Sequence, residues 1–275
     1  MNWLESILYS LITAAAELMP ISAQAHRTIL NNLIGVDGDP YLLRLMIHLA
    51  VLIAVLIHYR ETIAKINLTN RILAISPRRR KRQPDAATVY VIRLLRTALF
   101  PLLLGFILLV YTGHWKSQLH IVSLLLVLNG IILFIPAHMP QGNKNAKNIS
   151  GLNSVLIGLF SGLGAVPGLS RVGLGLSAAI AQGADSQSAL TWTMLLSIPS
   201  LLVMSCIDIY MMVTGGVLGF NAFMLVQYFI CSVFAYISAY MSLIFMRFMS
   251  VKVGFSAFSY YCWGTAMFAF ILYMI

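Results

Sequence analysis

The feature that most constrains this chain is a succession of apolar runs near or above the length needed to cross a bilayer, at about 41–60, 92–112, 118–138, 187–213, 220–247 and 253–275. Backbone placed in hydrocarbon must satisfy its hydrogen bonds within itself, so such runs fold as helices. No alternating strand pattern, low-complexity stretch or soluble domain interrupts them. The expectation is an all-α polytopic membrane protein, one transmembrane domain over residues 1–275, with a chain that is 60% hydrophobic and 9% charged. Met1 to Glu5 carries only an acid where a cleaved leader would need a basic start, so the N-terminal segment is expected to stay.

Two further apolar segments are interrupted in similar ways. The first reads Glu17-Leu18-Met19-Pro20-Ile21-Ser22-Ala23-Gln24-Ala25-His26, the second Ala165-Val166-Pro167-Gly168-Leu169-Ser170-Arg171. In each, Pro breaks a helix and Ser follows at a position suited to capping a new one. Irregular backbone at membrane depth is tolerated where protein buries it or where it lines a wet cavity, so the two breaks point to a site inside the bilayer.

The net charge of +10 could suggest nucleic acid, but 10 of the 18 Lys and Arg residues fall between Arg60 and Arg96, around Arg78-Arg79-Arg80-Lys81-Arg82. Beside apolar spans this is foremost a cytoplasmic topology signal and secondarily a place for anionic membrane lipids; nucleic acid is not expected. The loop at about 61–91 is expected to form a short amphipathic helix with a tip at Ser76-Pro77. Placing it inside puts Lys144, Lys147, Arg247 and Lys252 inside as well, and the 31–40 loop with Asp37 and Asp39 outside. About six full crossings then leave residues 2–30 and 151–180 as two re-entrant broken-helix hairpins of opposite orientation, the layout of an inverted repeat. Cys206, Cys231 and Cys262 lie in apolar stretches without CxxC spacing and read as core residues.

If Ser22 and Ser170 cap the helices that follow, two helix N-termini point at one cavity and favour an anion. Arg171 beside the second cap offers a planar, bidentate donor suited to phosphate. Glu17 and His26 supply a carboxylate and an imidazole for proton transfer. Against this stand plainer readings: Glu17 and Arg171 as a structural ion pair, His26 as a satisfied buried histidine, and the serines as caps rather than nucleophiles. His48, His58, His114, His120 and His138 are weaker candidates, and Asp208 reads as interfacial, near the outer end of its span.

At these residues the chain resembles the undecaprenyl-pyrophosphate phosphatase family, also called the bacitracin-resistance family. Its members carry a first motif of the form E-G-L-T-E-F-L-P-V-S-S-T-G-H, matched here by Thr13 through His26, and a second of the form P-G-x-S-R-S-G, matched by Pro167 through Gly173. The resemblance spans nearly the whole chain. It implies hydrolysis of undecaprenyl pyrophosphate to undecaprenyl phosphate and phosphate, recycling the lipid carrier of cell-wall synthesis at the plasma membrane. Glu17, His26 and Arg171 match catalytic positions, with Ser22, Gly168, Ser170 and Gly173 around the substrate. A divalent cation, Mg2+ or Ca2+, would be bound through Glu17. A polyprenyl pyrophosphate lipid is the implied partner, and a homodimer is left open.

The chain departs from the family pattern at Thr13 for the first glutamate, Ala23 for the second serine, Val172 for the serine after the arginine, and Ser161 for a glutamine. Losing one of two carboxylates weakens both cation binding and proton transfer, because hard cations take several oxygen ligands. The anion-holding half of the site is better kept than the hydrolytic half. That leaves an alternative, a lipid-phosphate binder or transporter on the same fold that cleaves nothing.

Overall fold

A computed structural model describes residues 1–35, 40–215 and 221–275; Asp37 and Asp39 lie outside the described residues. Its described residues form eleven α-helices: α1 Trp3–Leu18, α2 Ala23–Ile34, α3 Tyr41–His58, α4 Arg60–Ala74, α5 Ala86–Thr112, α6 Leu119–Ala137, α7 Gly151–Leu163, α8 Arg171–Ala181, α9 Ser186–Thr214, α10 Ala222–Phe248 and α11 Ala257–Met274. Six of them, α3, α5, α6, α9, α10 and α11, are long and apolar enough to span a bilayer. They coincide with the six runs read from the sequence. The shorter α7 and α8, with 13 and 11 residues, would reach only about 20 Å and 16 Å at 1.5 Å per residue, short of a bilayer core.

Local chemistry explains the element ends. The α5 helix begins six residues before the apolar run because Asp85 caps it, its side chain accepting from the Thr88 N–H at 3.0 Å. The α11 helix starts late because Gly254, at φ 86, ends the π-turn that follows α10. The basic loop folds as expected into a helix, α4, which buries only Thr69 and is followed by a 3-10 turn at Pro77–Arg79. Arg80 donates to the Leu73 and Ile75 carbonyls at the end of α4, and Arg96 on α5 donates to Asn70 at 2.9 Å.

Neighbour relations repeat between the two halves of the chain. α1 packs on α2, α3 and α10, as α7 packs on α8, α9 and α5, while α3 meets α10 as α9 meets α5. The contacts α3 to α9 and α6 to α11 join the halves. This exchange of partners is what an inverted repeat produces. The α7–α8 hairpin starts and ends at one place: Lys144 N–H donates to the Gly183 carbonyl at 2.9 Å, and Asp185 N–H donates back to Lys144 at 3.1 Å.

Small residues let α7 lie directly on α5. A Cβ added at Gly158 would stand 2.0 Å from the Ala98 carbonyl oxygen, and one at Gly162 would stand 2.4 Å from that of Leu102. This small-xxx-small spacing lets backbones touch where lipid provides no hydrophobic drive between helices. The outward faces carry exposed large apolar residues such as Phe100, Ile107, Leu124, Phe229 and Met267, which hydrocarbon would cover. The chain is a multi-pass membrane protein.

Candidate active site

Both breaks form as the sequence implies. α1 ends at Leu18; Ser22 then caps α2, its hydroxyl accepting from the Ala25 N–H at 3.3 Å. Ser170 caps α8, accepting from the Gly173 N–H at 3.1 Å. Ser22 holds φ at 64°, a conformation that non-glycine residues adopt at a cost, and no other described non-glycine residue has positive φ.

The breaks meet one another. Ser170 Oγ donates to the Met19 carbonyl at 3.3 Å, and a Cβ at Gly173 would stand 3.2 Å from that of Pro20. Asn129 on α6 ties them together, its Oδ1 accepting from the Ser170 N–H at 2.9 Å and its Nδ2 donating to the Pro20 carbonyl at 3.0 Å. Gly168, at φ 97, packs against α6, where a Cβ would lie 2.5 Å from that of Leu125. Gly168 and Gly173 thus shape the break; the space around them is taken by the Cβ and carbonyl atoms of packed neighbours.

Beside this junction lies a chain of buried charges. Glu17 Oε1 accepts from Arg27 Nη1 at 2.6 Å and faces His48 Nε2 at 3.2 Å, while Glu17 Oε2 pairs with Arg171 Nη2. On the other side of the imidazole, His48 Nδ1 meets Asp208 Oδ2 at 2.6 Å, and Arg44 Nε donates to Asp208 Oδ1 at 2.6 Å. Glu17, Arg27, Arg44, His48 and Asp208 are all buried. Asp208, read from sequence as lying near the outer end of its span, is fully buried by protein, its charge compensated inside the bundle by Arg44 and His48 from α3. The ion pair between Glu17 and Arg171, weighed as the plainer reading, forms, but within a larger network.

A cavity of about 20 Å³ opens here, lined by Glu17, Gln24 and Arg27 from the first break and by Gly164, Ser170 and Arg171 from the second. It has room for roughly one water. Two buried atoms on its lining residues, Arg171 Nη1 and Gln24 Oε1, have no hydrogen-bond partner. One carboxylate faces two guanidiniums and the N-termini of α2 and α8, so the lining is suited to an anion.

His26 is placed differently. Its Nδ1–H donates to the Ser22 carbonyl at 2.8 Å, leaving Nε2 to accept from the Tyr261 hydroxyl at 2.8 Å. Together with Ile12, Met19, Ile21, Phe258 and Tyr261 it lines a second cavity, of about 440 Å³ and mostly apolar. Glu17 and His26 therefore face separate spaces on either side of the first break. Ser22 is engaged as a cap and does not line the small cavity, whereas Ser170 does.

Sequence reasoning did not single out Arg27, Arg44 or Asn129, and it ranked His48 low. The signal was there for the arginines, since charge inside apolar segments is costly and implies a partner. Nothing local marks Asn129.

The residues present do not suit a divalent cation. Among the described residues, Glu17 is the one carboxylate lining the small cavity, and both of its oxygens are engaged. Thr13, one turn earlier on α1, is buried with its hydroxyl unpartnered, and both oxygens of Asp208 belong to Arg44 and His48. No group of three or more His, Cys, Asp or Glu able to hold a metal occurs among the described residues.

Fold and site define a polytopic membrane protein with a buried cluster of Glu17, Arg27 and Arg171 where two broken helices meet. Residues 6–268 match the family described as Bacitracin resistance protein BacA, and the chain belongs to that family. Similar curated proteins include the undecaprenyl-diphosphatase of Halothermothrix orenii, 23% identical over 267 residues (97% of this chain, 96% of the relative). Undecaprenyl-diphosphatase 1 of Shouchella clausii is 26% identical over 273 residues (98% and 96%), and the undecaprenyl-diphosphatase of Methanobrevibacter smithii is 25% identical over 279 residues (98% and 97%). Identities at this level across the full length mark a divergent member.

Proposed function

We propose that this protein hydrolyses undecaprenyl pyrophosphate to undecaprenyl phosphate and inorganic phosphate at the plasma membrane. The observation that carries the reading is the convergence of Arg27, Arg171 and two serine-capped helix N-termini on one buried carboxylate, Glu17. Guanidiniums and backbone N–H groups already in place stabilise charge developing on phosphate oxygens without reorganising water. The names of the full-length relatives support the same chemistry.

In this reading the diphosphate enters as the small cavity widens, and Arg27 and Arg171 exchange carboxylate oxygens for phosphate oxygens. Glu17, released, takes a proton from a water molecule as its oxygen attacks the outer phosphorus. The new P–O bond forms as the bridging P–O bond breaks, its electron pair leaving on undecaprenyl phosphate. The proton on Glu17 returns through the His48 contact or to the departing phosphate. Water serves as nucleophile in preference to Ser22, whose hydroxyl caps α2. The exposed Arg78, Arg79 and Arg82 suit anionic headgroups.

The test is phosphate release from undecaprenyl pyrophosphate by purified protein in detergent, with and without Mg2+ or Ca2+, beside Glu17→Gln. Release that depends on Glu17 is expected. Saturable lipid-phosphate binding without release would instead support the transporter alternative.

A further inference from the structure

Arg27 places a second guanidinium on a carboxylate that one arginine would already neutralise. Glu17 is already compensated by Arg171 on Oε2 and contacted by His48 on Oε1, yet a second guanidinium sits 2.6 Å from Oε1. Arg27 is buried, and burying an arginine is expensive unless its charge is used. With one carboxylate and two guanidiniums, the lining carries an excess positive charge before any ligand arrives. Arg171 Nη1 is a further donor, buried and without a partner. The carboxylates that a cation would need are missing or engaged: position 13 is threonine, and Asp208 is spent on Arg44 and His48. A dication placed among two guanidiniums would also be repelled at short range.

We propose that Arg27 supplies the positive charge that a divalent cation would otherwise bring to the diphosphate, so that this chain holds its substrate headgroup without metal. The inference rests on the diphosphatase reading of the site. Arg27 and Arg171 then form a two-sided clamp, one from each broken helix pair, and each can present two N–H groups to phosphate oxygens. The loss of a carboxylate at Thr13 and the guanidinium at Arg27 become one change: a cation site turned into a fixed cationic site.

The test is binding of inorganic pyrophosphate to the purified full-length protein in detergent, by equilibrium dialysis, in EDTA and in Mg2+ at equal free pyrophosphate. Affinities within about threefold of each other are expected, with Arg27→Gln losing about tenfold or more in EDTA and Arg27→Lys losing less. A wild-type affinity that falls tenfold or more in EDTA overturns the proposal, as does an Arg27→Gln variant that binds as tightly as wild type in EDTA. Absence of pyrophosphate binding in both buffers overturns it too. If Arg27→Gln does not fold, the wild-type comparison decides alone. Phosphate release from undecaprenyl pyrophosphate in the same preparations separates the two readings. Metal-independent binding with no release in either buffer sinks the hydrolase and leaves the clamp, whereas release that requires Mg2+ sinks the clamp and leaves the hydrolase.

Discussion

The imidazole of His48 meets the carboxylate of Asp208 at 2.6 Å, joining two helices whose contacting residues are 160 positions apart in sequence. The same ring reaches Glu17 through its other nitrogen, so Asp208 fixes how His48 is presented to the candidate active site. Asp208→Ala leaves Arg44 buried without its carboxylate partner. Breaking a buried pair on one side costs about 3 to 5 kcal/mol in soluble proteins. A clear drop in the detergent unfolding temperature, followed by tryptophan fluorescence, is expected. Asp208→Asn, similar in shape, should fold better yet release phosphate more slowly.

Asn129→Leu tests the tether between the breaks. The substitution leaves the Ser170 N–H without this partner in a water-poor interior, at about 1 to 3 kcal/mol, and leaves the Pro20 carbonyl only the weak Cys262 thiol donor among its side-chain partners. Reduced thermal stability together with lowered kcat/KM for phosphate release is expected. Unchanged values in both would remove Asn129 from the site's support.

Arg171→Lys keeps a charge but loses the planar fork. A fall of about tenfold to a hundredfold in kcat/KM is expected, because a point charge makes fewer aligned hydrogen bonds to phosphate. Steady-state phosphate release checks it, and near-normal activity would place Arg171 outside the reacting centre.

Gly158→Leu and Gly162→Leu should each fail to give monodisperse protein in detergent. A Cβ at either position falls within 2.4 Å of a carbonyl oxygen on α5, so the helices must separate. Size-exclusion chromatography reads the result. A normal profile would mean that α5 and α7 can shift apart without loss of the fold.

How much of the molecule could be read in advance divides along physical lines. The six spans were legible because apolar run length is a local property and lipid forces helices on it. The two breaks and their Ser22 and Ser170 caps were legible for the same reason: Pro and Ser act within a few residues. The partners of Asp208 were not legible because its position along α9 indicates depth and says nothing of the neighbour that compensates it. His48 looked ordinary on an apolar helix, and Asn129 carried no local mark.

The sequence by itself determined an all-helical membrane protein with two serine-capped breaks, and it brought Glu17 and Arg171 forward as candidates. Only the tertiary structure decided which charges meet. It put Arg27 and His48 on Glu17, assigned Asp208 to Arg44 and His48, and turned His26 towards Tyr261 in a separate, apolar cavity. Helix formation and capping are settled within a few residues of chain. An ion pair between distant helices is settled by where those helices come to rest, and the cost of an unpaired charge in a low-dielectric interior makes that resting place specific.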